Sequence, residues 1–169
     1  MTIRKLEIER FSVTSSKSFD IVVAAFEAAV GHPNIFQFLK ATADAKTLSE
    51  VETIVHQALG REPMIVFMKL DNGAILRKET GRDSPKMARF LVGNPLIMKE
   101  MVKRTPDAAS YAPTTILIDE RPDGVHLSYD RMVSLLAPYG DPESLAVAGR
   151  IDAKIEKFLR EIAADDAPL

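Results

Sequence analysis

Along the first part of the chain the apolar positions alternate before they fall into helical spacing. Leu6, Ile8, Phe11 and Val13, set against Glu7, Glu9 and Ser12, read as a half-buried strand that Arg10 breaks or bulges. The Ser-rich step from Thr14 to Ser18 then offers N-caps to a helix carrying Phe19, Val22, Val23, Phe26 and Val30, which Gly31 and Pro33 stop. Asn34 is placed to cap a short second helix around Phe36 and Leu39. Thr47-Leu48-Ser49-Glu50 is a capping-box pattern that opens a third, through Val51, Ile54, Val55 and Leu59 to Gly60.

The next signals are those of strands and tight turns. Met64 to Leu70 is apolar and partly β-branched, and Asp71-Asn72-Gly73 supplies residues suited to positive φ, so a hairpin back through Ala74 to Lys78 is expected. Glu79 to Pro85 reads as a loop, Met87 to Val92 as a further strand, and Gly93-Asn94-Pro95 as a turn into a helix with Ile97, Met98, Met101 and Val102. That helix should end before Pro106. Thr114 to Asp119 and Val125 to Tyr129 form a second hairpin across Arg121-Pro122-Asp123-Gly124. A long final helix carries Leu145, Val147, Ala148, Ile151, Ile155, Phe158, Leu159 and Ile162 on one broad stripe. Antiparallel hairpins with helices between and after them, and no internal repeat, predict an α+β fold whose helices cover one face of a sheet of at least five strands. Residues 1–164 are expected to form one domain and 165–169 a frayed tail.

Composition removes several classes of chemistry. The absence of cysteine excludes disulfides, thiol nucleophiles, iron–sulfur clusters and Cys-ligated zinc. A net charge of −2 without a Lys/Arg run lacks the basic footprint of a nucleic-acid partner. The charged N-terminus is unlike a signal peptide and no run of about 20 apolar residues occurs, so no membrane partner and a cytoplasmic location are expected.

Among polar residues, His32, His56 and His126 are too scattered to form a ligand pair, and no metal site is expected. Asp119 and Glu120 point to opposite faces of a strand, so they cannot act as a paired acid and base. Gly93-Asn94-Pro95 could aim helix N–H groups at an anion, but one glycine without a phosphate-loop pattern favours plain turn formation. The methionines, including Met64, Met68, Met87, Met98, Met101 and Met132, serve either as core filler or as the lining of an adaptable cavity. Tyr111, Tyr129 and Tyr139 suit pocket edges, core caps and interfaces alike.

Val92-Gly93-Asn94-Pro95-Leu96-Ile97-Met98, then Tyr111-Ala112-Pro113, then Leu127-Ser128-Tyr129-Asp130-Arg131 and Leu135-Leu136 resemble, in order and spacing, the domain-of-unknown-function family numbered 302. Gly31-His32-Pro33, Leu59-Gly60 and Phe67 before Asp71-Asn72-Gly73 extend the resemblance into the N-terminal half. It implies a curved antiparallel sheet covered by helices in a TATA-binding-protein-like arrangement, with the last helix across the sheet, and a homodimer. Shorter relatives carry a cysteine before the Asn-Pro pair where this chain has Gly93, which removes a thiol or metal role there. The resemblance brings no activity or cofactor with it.

Three readings follow. The first is a non-catalytic module binding a small apolar ligand between sheet and C-terminal helix, with Asn94, Met98, Met101, Tyr111, His126, Tyr129 and Met132 at the site. The second is a homodimeric interaction protein that buries the same apolar and tyrosine surface. The third is an enzyme using His126, Tyr129, Asp130 or Arg131, a reading that gains if His126 lies beside Asp130 in a cleft.

Overall fold

The computed structural model describes Met1 and residues 3–164. Its strands are β1 (Arg10–Ser15), β2 (Ile65–Asp71), β3 (Met87–Gly93), β4 (Thr114–Arg121) and β5 (Gly124–Asp130). Its helices are α1 (Phe19–Ala29), α2 (Ile35–Asp44), α3 (Leu48–Ala58), α4 (Ala74–Thr80), α5 (Pro95–Val102), α6 (Met132–Leu136) and α7 (Pro142–Ala163), with a 3-10 turn over Pro106–Tyr111. The protein is α+β, as the patterning predicts: a five-stranded antiparallel sheet in the order β1-β5-β4-β3-β2, with a long C-terminal helix.

Alternation along the strands decides what meets what. Val66, Phe90, Ile116, Leu127 and Tyr129 point to the face covered by α1 and α7, and share one core with Phe26, Phe158 and Leu159. Phe26 stands at the centre, its ring 4.6 Å from Phe90 and 5.4 Å from Phe158. A bulge between Val66 and Met68 leaves Phe67 outside the ladder, where it packs edge-on against Phe38 of α2. The corner of the other face at Ile65 is thereby closed by α2 and α3.

Caps were legible. Asn34 accepts from the Gln37 N–H, and Thr47 with Glu50 forms a complete capping box. The β4–β5 hairpin turns through Pro122-Asp123, with Gly124 at φ 137°.

Two expectations need correction. No hairpin forms at Asp71-Asn72-Gly73: β2 pairs with β3, and Ala74 to Lys78 lies in α4. Every residue from Ala74 to Glu79 is a competent helix former once tertiary pairing is taken elsewhere, and Arg77 reaches back to grip Asp71 at 3.1 and 2.5 Å. Gly73 has φ −79°; it is glycine because a Cβ would come within 2.7 Å of the Pro85 carbonyl oxygen. The first strand starts at Arg10 instead of Leu6, since its partner β5 ends opposite Arg10 at Asp130. The tail expected at residues 165–169 lies outside the described residues.

Candidate ligand pocket

Three strand ends meet at one edge of the covered face. Met64 precedes β2, Val92 and Gly93 finish β3, and Thr114 opens β4. From there Asn94 starts α5. Its Oδ1 accepts from the Leu96 N–H at 3.0 Å and its Nδ2 donates to the Pro63 carbonyl at 3.1 Å, with Pro95 filling the first helical position. One side chain therefore caps the helix and ties it to the chain entering β2. Between α5, these strand ends, Met132 of α6 and Ile151 and Ile155 of α7 lies a narrow cavity of about 50 Å³ that opens to solvent.

The pocket wall is apolar. Met64, Met98, Met101 and Met132 contribute flexible thioethers, and no charged residue lines it. Gly93 is not required there by its backbone. A Cβ at that position would touch Pro113 and Phe67 at 3.6–3.7 Å, which is ordinary contact.

Behind Met132 sits a polar lock. The Tyr129 hydroxyl donates to Asp152 Oδ1 at 2.7 Å, and the same carboxylate accepts the Met132 N–H at 2.7 Å and the Val133 N–H at 3.0 Å. Asp152 is 1% exposed. Burial first, then the Asp152 charge and hydrogen bond, push the Tyr129 phenol well above its ordinary value, so it stays protonated. Arg131 adds positive charge, with Nε 3.9 Å from Asp152 and 3.0 Å from Glu156, although its N–H does not point at Glu156. Its Nη1 pairs with Glu9. Sequence reasoning passed over Asp152. The available signal was a single acid on the buried stripe of α7, four residues after Ala148 and three before Ile155.

The predicted site residues divide accordingly. Asn94, Met98, Met101 and Met132 line the pocket together, and Tyr129 packs behind it. Tyr111 turns away: its hydroxyl lies 2.8 Å from that of Tyr139, over whose ring the Arg4 guanidinium stacks at 4.1 Å. That bond, with burial second, pushes the Tyr111 phenol up to about 12. His126 lies on the opposite sheet face, with Nε2 3.0 Å from Asp123 and 3.5 Å from Thr14 Oγ1. Asp130 is held instead by Arg10, at 2.6 and 2.9 Å, so His126 and Asp130 are not brought together. Among the described residues no group of three or more His, Asp or Glu is placed to hold a metal ion.

A second depression lies near α4 and is strongly charged. Its residues largely neutralise one another, Arg77 with Asp71 at 2.5 Å and Lys86 with Asp20 at 2.9 Å. No helix among the described residues is long and apolar enough to cross a membrane.

An antiparallel sheet with two helices on one face and an uncharged pocket at the strand ends defines an α+β protein of helix-covered-sheet type. The chain belongs to the family described as Domain of unknown function DUF302, whose profile matches residues 39–162. A solved structure, the uncharacterized conserved protein DUF302 from Bacillus stearothermophilus, aligns with TM-score 0.63 at 14% identity, covering 92% of this chain and 98% of that one. At that identity the likeness shows the fold alone. No curated protein matches the chain.

Proposed function

We propose that this protein is a non-catalytic module that binds a small, largely apolar molecule in the pocket between α5, the strand ends and α7. The observation that carries the reading is a wall of four methionines and several aliphatic side chains around an open-mouthed cavity of about 50 Å³, which the flexible methionines part to admit a ligand. Concave apolar sites with few polar groups are where small ligands bind, and thioether side chains adjust to their shape. Catalysis has less support. His126 is tied to Asp123 on the far side of the sheet, and the Tyr129 phenol beside the pocket is held neutral with its proton committed to Asp152.

Native mass spectrometry of freshly purified protein, with the denatured mass alongside, tests the reading. The expected result is a non-covalent adduct of a few hundred daltons that is lost in Met98→Trp, whose indole fills the space. Adduct-free wild-type protein that also takes up no apolar probe would remove the reading.

A homodimeric interaction protein is the second reading, and a different surface supports it. Met68 and Leu70 of edge strand β2 and Ile75 and Leu76 of α4 leave large apolar side chains exposed, Ile75 at 79%. Light scattering across a concentration series decides it: a monomer throughout, unchanged by Ile75→Glu, rejects that surface as an interface.

A further inference from the structure

Resting on the pocket reading, we propose that the site selects uncharged molecules and rejects anions, so that its ligand carries no ionised group. Every residue of the wall is neutral. Its only polar side chains are Asn94 and Thr114, and both polar ends of the Asn94 amide are already committed, to the Leu96 N–H and the Pro63 carbonyl. An ion entering would therefore surrender hydration without meeting a counter-charge, a cost of several kcal/mol for even partial desolvation.

The nearest buried charge makes the discrimination asymmetric. Asp152 stands on α7 between the wall residues Ile151 and Ile155, and it accepts the backbone N–H of a third, Met132. Its carboxylate is buried there, where solvent screens charge weakly. Arg131, 3.9 Å from Asp152 and shared with Glu9 and Glu156, offsets part of that charge and does not line the wall. A carboxylate or sulfonate is thus opposed chiefly by desolvation, with repulsion from Asp152 a smaller addition. A cation gains some attraction but meets no carboxylate on the wall, because the Asp152 oxygens are turned to Tyr129, Met132 and Val133.

The experiment uses two dyes with the same aromatic body, N-phenylnaphthylamine and its sulfonated counterpart anilinonaphthalene sulfonate. The chain has no tryptophan, so protein emission does not overlap the reading. In the wild-type protein the neutral dye should bind saturably and the sulfonate at least about tenfold more weakly, the least that an unpaired buried charge implies. Met98→Lys, which brings a cation to the pocket mouth on a side chain able to reach solvent, should narrow or reverse that preference. Equal or tighter wild-type binding of the sulfonate, in competition with the neutral dye, overturns the proposal while leaving the pocket in place. Failure of both dyes to bind overturns the pocket and this inference together. The wild-type comparison decides the matter even if Met98→Lys fails to fold, which circular dichroism would reveal.

Discussion

Asp152 is a carboxylate among Ala148, Ile155 and Leu159, in a layer where charge is costly. It is tolerated because three donors converge on it, two of them the first N–H groups of α6, which have no intrahelical partner. Removing it strands all three. Asp152→Ala should cost about 3 kcal/mol in urea unfolding, whereas Asp152→Asn, whose amide oxygen still accepts, should cost less. Tyr111 carries a pH signature of its own. Its phenol ionises near 10.0 when unfolded and at about 12 in the fold, so the folded state holds the proton more tightly. That contribution is complete below pH 10 and disappears as pH rises through 12. Urea midpoints measured over this range should fall, and Tyr111→Phe, which cannot ionise, should fall less steeply; identical slopes would mean the Tyr111–Tyr139 bond does not shift the phenol.

Helix α5 depends on one residue more than its length suggests. Asn94→Ala deletes both the cap and the tie to Pro63, and should destabilise by about 1–2 kcal/mol while loosening pocket ligand retention. The cap itself was legible as an Asn-Pro pair; the tie was not, because Pro63 lies in a different loop. Helix α4 shows the opposite dependence. It buries no residue and is anchored chiefly by Arg77 to Asp71. Its amides should exchange with deuterium well before those of α7, and equal protection would point to a covering partner. The Asp71-Asn72-Gly73 signal misled for a physical reason. These residues permit a tight turn as well as the close approach of Gly73 to Pro85, and local preference does not distinguish the two.

The body of the protein hangs on contacts between distant segments. Phe26 joins α1 to β3 and α7 through Phe90 and Phe158, so Phe26→Ala should cost about 3–5 kcal/mol and lower the thermal midpoint in calorimetry. The amino-acid sequence by itself determined the α+β class, the caps of α2 and α3, the β4–β5 hairpin, the long amphipathic α7 and the family resemblance, all of which rest on patterns within a few turns or strand pairs. It identified Asn94, Met98, Met101 and Met132 as candidates without showing that they share a wall. Tertiary structure alone decided that β1 lies beside β5, that Ala74 to Thr80 is helical, that Tyr129 answers to Asp152, and that His126 and Tyr111 face away from the pocket. Periodicity states which face of an element is apolar, but the partner for that face is chosen by the free energy of packing the whole chain, in which residues far apart in sequence compete for the same surface.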